Sequence, residues 1–189
     1  MIHPDDTLST ARLLLRRFTL DDLDLLDRLA SDARVMHYLG GVKDRAATET
    51  MLRGRILAYY EQHPGLGIWA TIERASGACV GFHVLNHLQG EPDIQVGYAL
   101  FADAWGQGYA SEMTVRLLHY GFVTRRLPVI VAITNMDNVA SQRVLLKAGL
   151  KRNGQRLLLH PAYADQGPMA WFEVSRDVWL TPPALSLLH

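Results

Sequence analysis

Apolar residues recur at helical spacing in four stretches of the chain. They alternate or run together in seven shorter ones, with turn residues between. Residues 11–18 predict a first strand. Thr19 then caps a helix, with Asp22 three residues on as its capping-box partner and Leu23, Leu26 and Ala30 as its apolar stripe. Asp44 opens a second helix with Leu52, Ile56, Tyr59 and Tyr60 on one side, and His63-Pro64-Gly65 stops it. Strands over 67–73, 79–88 and 93–101 follow, joined at Ser76-Gly77 and Gly90-Glu91-Pro92, which predicts an antiparallel meander. In the last of these, Ile94, Val96, Tyr98 and Leu100 face one way, and Asp93, Gln95, Gly97 and Ala99 the other. Gly97 inside that strand is expected to weaken pairing or to mark a bulge.

After a glycine-bearing turn, Trp105-Gly106-Gln107-Gly108-Tyr109-Ala110, a helix runs to about Val123 with Ala110, Met113, Leu117 and Gly121 on one stripe. Residues 128–134 are a short apolar run, as a buried central strand requires. Asp137 is expected to cap the next helix and Gly149 to end it, with final strands over 150–159 and 169–175. The order β-α-α-β-β-β-α-β-α-β-β is that of a mixed α/β domain. The whole chain, 1–189, reads as one domain, with 1–10 and 181–189 as loose ends.

Composition narrows the function. Hydrophobic residues make up 49% of the chain, enough for a core. Lys+Arg and Asp+Glu are equal at 19 each, so nothing pulls the chain to nucleic acid or an anionic membrane. Residues 1–10 carry two Asp and no Lys or Arg, unlike a signal peptide. Cys79 is the one cysteine, so no internal disulfide forms and a cytoplasmic location is expected. No His, Cys, Asp and Glu stand at metal-ligand spacing.

The strand-turn-helix from Tyr98 to Glu112 carries the first chemical signal. Gly106, Gly108 and Ala110 leave backbone N–H groups uncovered, and the new helix adds its positive end, a cradle for phosphate or pyrophosphate. The same residues also suit a tight turn with no ligand. No Gly-Lys-Ser/Thr is present for a P-loop. Gly106-x-Gly108-x-x-Ser111 approaches a dinucleotide fingerprint, but a meander precedes it and Asp137 is better placed as a cap than as a ribose ligand. The second signal is Asn138 and Ser141, on one face at the head of a helix otherwise lined by Val144, Leu145 and Ala148. They suit either a ligand or their own backbone.

The pair Trp105-Gly-Gln-Gly-Tyr-Ala-Ser-Glu112 and Asn138-x-x-Ser141, with Lys147-x-Gly149-Leu150, resembles the GNAT superfamily of N-acetyltransferases. The branch it resembles includes ribosomal-protein N-terminal acetyltransferases of the RimJ/RimL type. Gly108 and Ala110 meet the family's acyl-CoA loop, while Trp105 stands where Gln or Arg is usual. The resemblance implies a mixed, mostly antiparallel sheet whose fourth and fifth strands splay apart, with flanking helices. It implies acetyl-CoA as co-substrate and direct attack by a primary amine, on a peptide N-terminus or a small molecule. A homodimer is left open.

On that resemblance the pantetheine arm pairs with backbone around Ala99, Leu100 and Phe101. The pyrophosphate lies on the N–H groups of Trp105, Gly106, Gln107, Gly108, Tyr109, Ala110 and Ser111. Asn138 bonds the arm, and Ser141 protonates the leaving thiolate. A Glu often precedes the Gly-Tyr of the fourth strand in this branch, but here Gln95 stands there and cannot act as a base. The base is expected to be Asp93, two residues away on the same strand face, with His83 and His87 as alternatives. A non-catalytic acyl-CoA-binding module is the rival that Gln95 suggests. Cys79, Trp69, Trp171 and Trp179 read as packing residues, and His160 and Tyr163 as loop residues that could line an acceptor pocket.

Overall fold

In the computed structural model, which describes residues 8–181, the strands are β1 (Leu13–Arg17), β2 (Gly67–Glu73), β3 (Cys79–His87), β4 (Ile94–Leu100), β5 (Val129–Asn135), β6 (Lys151–Arg156) and β7 (Met169–Ser175). They form one sheet in the order β1-β2-β3-β4-β5-β7-β6. The sheet is mostly antiparallel, and β4 and β5 pair parallel. The helices are α1 (Leu23–Ala30), α2 (Ala33–Met36), α3 (Arg45–Met51), α4 (Ala58–Gln62), α5 (Tyr109–His119), α6 (Val139–Lys147) and α7 (Arg176–Leu180). The helix predicted from Asp44 is a single run, α3 to α4, widened to π geometry over Leu52–Leu57. α2 and α7 are too short for periodicity to reveal.

The chain divides into two compact units. Among the described residues, one holds 8–84 with Tyr98–Tyr109, the other Leu85–Gly97 with 110–181. In the first, β1 pairs antiparallel with β2 from Leu13↔Glu73 to Arg17↔Trp69. Leu13, Leu15, Leu26, Leu52, Ile56 and Trp69 are fully buried there. The Tyr60 hydroxyl donates to the Ile68 carbonyl and accepts from the Phe18 N–H. Burial pushes this phenol up to about 12. The expected loose ends fall mainly outside the described residues. Of those described, Leu8 is buried and Ser9 bridges to Leu14.

In the second unit β5 commits its whole length to β7, from Val129↔Ser175 to Asn135↔Met169. Its ladder with β4 has the single registered pair Gln95↔Val131. The pairing of β4 with β5 is therefore brief. β6 pairs with β7 through a register shift between Arg152 and Gln155. Leu88, Val131, Leu158, Met169 and Trp171 form a buried cluster in this unit.

One expectation, the cap of α6, is corrected, and the contact of β3 with β4 is described with it. Leu88 N–H donates to the Asp93 carbonyl and Phe101 N–H to the Val80 carbonyl. The two bonds lie equally far apart on β3 and β4, so the strands keep step overall between them. The irregular glycine is Gly81 on β3, at φ +141°, where a Cβ would lie 2.2 Å from the Ala99 carbonyl oxygen. The cap of α6 is Asn138, not Asp137: its side-chain oxygen accepts from the Ser141 N–H at 3.1 Å. Gly149, at φ +94°, ends that helix as expected, with Gly149 N–H on the Leu146 carbonyl and Leu150 N–H on that of Leu145.

Candidate active site

The glycine turn is built from backbone the sequence makes permissive. Gly106 and Gly108 adopt φ of +75° and +81°, a region L side chains avoid. A Cβ on Gly106 would meet nothing within 4 Å, and one on Gly108 would meet only the Arg12 side chain, at 3.5 Å. Conformation rather than packing therefore demands the glycines. Residues 105–108 are exposed, and α5, 11 residues long, starts at Tyr109. A curved, exposed backbone running into a helix start fits an anionic group.

Side chains fix this turn. Trp105 Nε1–H donates to the Leu100 carbonyl at 2.9 Å, and Gln107 Nε2 to the Asp103 carbonyl at 3.1 Å. Arg12, at the foot of β1, donates from Nη1 to the Gln107 carbonyl at 3.0 Å. Its guanidinium also stacks 4.7 Å from the centre of the Tyr109 ring. The Tyr109 hydroxyl donates to Glu73 Oε1, and Ser76 Oγ donates to Glu73 Oε2 at 2.6 Å. These two bonds, with the charge of Arg12, hold the Glu73 carboxyl below its usual range. The turn thus carries a fixed cation beside it. Ala99 and Leu100 are buried on β4, and Phe101 is half-buried, stacked under Arg28 at 4.2 Å.

In the second unit, Asn138 and Ser141 stand at the head of α6, both half-buried. The cap uses the side-chain oxygen of Asn138 and leaves its amide N–H groups for another partner. Gln95 Nε2 donates to Asn86 Oδ1 at 3.2 Å, and Asn86 is buried. Asp93 lies just before β4, half-buried, with its carbonyl held by the Leu88 N–H. Gln95↔Val131 and Val131↔Glu173 place Gln95, Val131 and Glu173 in one row across β4, β5 and β7. Their side chains share a sheet face.

The remaining candidates have the following surroundings. His83 is fully buried, with Nδ1 2.7 Å from Thr71 Oγ1 and its ring 5.6 Å from that of Tyr98. His87 is half-buried on the same strand. The Cys79 thiol donates to the Gly81 carbonyl at 3.2 Å, and burial pushes its pKa up, which disfavours a nucleophilic thiolate. Trp69, Trp171 and Trp179 are buried, as expected. His160 Nδ1 accepts from the Ala162 N–H at 3.2 Å, and its ring packs 6.3 Å from that of Tyr163.

Sequence reasoning missed Arg12, Asn86 and Glu173. Glu173 had a signal: it is the one acid in the apolar run Met-Ala-Trp-Phe-Glu-Val-Ser. Arg12 had none, because its partners are ninety residues and more away along the chain: its hydrogen bond to Gln107 spans 95 residues.

Comparison with known proteins bears on this geometry. Residues 12–151 match the acetyltransferase (GNAT) domain family. The uncharacterized N-acetyltransferase YoaA of Bacillus subtilis (strain 168) is 31% identical over 153 residues, covering 78% of this chain and 84% of that protein. The crystal structure of a GNAT-family acetyltransferase from Bacillus anthracis superposes with a TM-score of 0.72 at 25% identity, covering 89% of this chain and 98% of that one. Spermidine N-acetyltransferase from Vibrio cholerae, solved with CoA and spermine, has the same fold: TM-score 0.72 at 14% identity, over 91% of this chain and 100% of that one.

Proposed function

The chain belongs to the GNAT acetyltransferases, and from that membership we propose that it is a single-domain enzyme passing the acetyl group of acetyl-CoA directly to a primary amine on a peptide N-terminus or a small molecule. Membership in a family of N-acetyltransferases sets aside the non-catalytic binding module. The RimJ/RimL-type branch, whose motifs the chain resembles, supports a peptide N-terminus. The Vibrio cholerae protein of the same fold, solved with spermine, supports a small amine.

The observation that carries the reading is the turn at Gly106 and Gly108, with both glycines at positive φ and Arg12 fixed on the Gln107 carbonyl. In the proposed site residues 105–111 hold the pyrophosphate, and backbone at Ala99, Leu100 and Phe101 meets the pantetheine arm. Asn138 donates its amide N–H to the arm. The amine is deprotonated through water by Asp93 and attacks the thioester carbonyl. The C–N bond forms, the nitrogen gives its second proton to solvent, the C–S bond breaks, and Ser141 gives the departing sulfur a proton that it recovers from solvent. At neutral pH an α-amine, with a pKa of about 8, is largely protonated, so a base contributes to rate.

The test is a screen of amines and short peptides with acetyl-CoA, read by thiol release. Acceptor-dependent thiol with an acetylated product supports the reading. Tight CoA binding without transfer to any amine overturns it.

A further inference from the structure

Glu173 is held as though for a ligand, and the hold is unusual in origin. β6 matches β7 residue for residue up to Arg152↔Phe172, then resumes at Gln155↔Ala170 one residue out of step. Gly154, at φ +79°, makes this bulge. A bulge re-aims the side chain beside it. Here that side chain is Asn153, whose Nδ2 donates to Glu173 Oε1 at 2.9 Å. From the other side Trp171 Nε1–H donates to Glu173 Oε2 at 3.0 Å. Each carboxylate oxygen accepts one bond and keeps capacity for another. The carboxylate is therefore oriented while still able to meet a cation.

A cation already lies on the indole that binds it, and Lys151 stands opposite Glu173 in the β6–β7 register. The Arg156 guanidinium stacks 3.5 Å from the centre of the Trp171 ring, the indole whose N–H binds Glu173. Arg156 is exposed, whereas Trp171 is 1% exposed. The ring face is thus covered by a long, solvent-reaching side chain that can swing away. An aromatic face with a carboxylate at its edge attracts organic cations by two means at once.

Resting on the proposed amine acetylation, we infer that Trp171 and Glu173 form a subsite for a second cationic group of the acceptor, with Arg156 as its internal occupant in the absence of acceptor. Glu173 lies in one row with Gln95, two strands away, a separation of about 10 Å. An amine reacting beside β4 would reach it with a cation carried at the far end of a flexible chain. Glu173 is a specificity residue here, and the proton transfer stays with Asp93.

Agmatine tests this, since it joins a primary amine to a guanidinium like that of Arg156. Butylamine is its match without the second cation. Calorimetry on the CoA-loaded protein reads binding without turnover. Agmatine is expected to bind about tenfold more tightly than butylamine. Glu173→Gln should remove that preference, and Arg156→Ala should strengthen agmatine alone. In turnover, Glu173→Gln should raise the agmatine KM, leave kcat and the acidic limb of the pH profile in place, and spare butylamine. Melting temperatures check that the variants fold, and Arg156→Ala, at an exposed site, serves if Glu173→Gln does not. Equal binding of both amines to the wild type, or equal changes for both in the variants, overturns the subsite. A protein that binds agmatine selectively yet acetylates no amine keeps the subsite and refutes the transferase reading.

Discussion

Gln95 donates a hydrogen bond of 3.2 Å to the buried Asn86 side chain at the one position where β4 pairs with β5. The amide that replaces a carboxylate is therefore integrated into the sheet face. Asn86 can turn its amide to donate instead, so Gln95→Glu should fold. If deprotonation limits the rate, this variant should raise kcat/KM near neutral pH, by up to about a hundredfold. Unchanged kcat/KM would mean that Asp93 already suffices or that the enzyme draws on the neutral amine.

Asp93→Asn separates those two cases. With Asp93 as the base, the acidic limb of the kcat/KM profile should vanish in this variant. Retention of the limb, with its loss in His87→Gln, would move the role to the histidine. The buried, Thr71-bonded His83 is the poorer candidate.

Arg12 offers a direct reading of the cofactor turn. It grips the Gln107 carbonyl and stacks on Tyr109, so its removal frees the turn and deletes a positive charge beside it. Arg12→Ala should weaken acetyl-CoA binding about tenfold or more, and Arg12→Lys should restore part of that, keeping charge without the planar stack. Salt should weaken wild-type binding more than that of Arg12→Ala. Gly108→Val is a less clean probe of the same turn, because φ of +81° strains any side chain there regardless of ligand.

At the head of α6 the two roles of Asn138 can be pulled apart. Asn138→Asp keeps the oxygen that caps Ser141 N–H and loses the amide donors, so stability should hold while acetyl-CoA binding weakens. Asn138→Ala should lose both, with about 1 kcal/mol of stability. Ser141→Ala should lower kcat by roughly tenfold to a hundredfold with little change in acetyl-CoA KM. Normal turnover would return Ser141 to the first helical turn as an ordinary residue.

Local signals carried much of this structure. β2 and β7 have the bounds their alternation predicts, because each lies between clear turn residues. Gly149 ends α6 as its position suggested. What escaped them was decided in part by partners distant in sequence. The bulge at Gly154 depends on how β6 meets β7. Asn138 took the cap from its neighbour Asp137, a choice between adjacent good cappers that spacing alone does not make. Arg12 came into view only through a contact across the fold, while Glu173 had its own signal as the one acid in an apolar run.

The pair Arg16 and Asp22 predicts how the fold meets acid. Arg16 Nη2 lies 2.7 Å from Asp22 Oδ1 and Nη1 lies 2.8 Å from Oδ2, a two-pronged contact, and the Thr19 N–H adds a third bond to Oδ2 at 2.8 Å. Asp22 is 8% exposed. The bond from Arg16 outweighs the opposing effect of burial and holds the carboxyl below its ordinary value of 3.8. A carboxylate depressed in the folded state stabilises fully at pH above its unfolded pKa. That contribution is lost as pH falls from the ordinary carboxylate range through the depressed folded value. Wild type should therefore lose stability on acidification in a step that Asp22→Asn lacks. The variant should cost about 1–3 kcal/mol at neutral pH, less than a fully buried pair because the Arg16 side chain is 41% exposed. Denaturant unfolding of both proteins from neutral to acidic pH measures it, and parallel curves with no convergence at low pH would show that the pair does not set the acid limit.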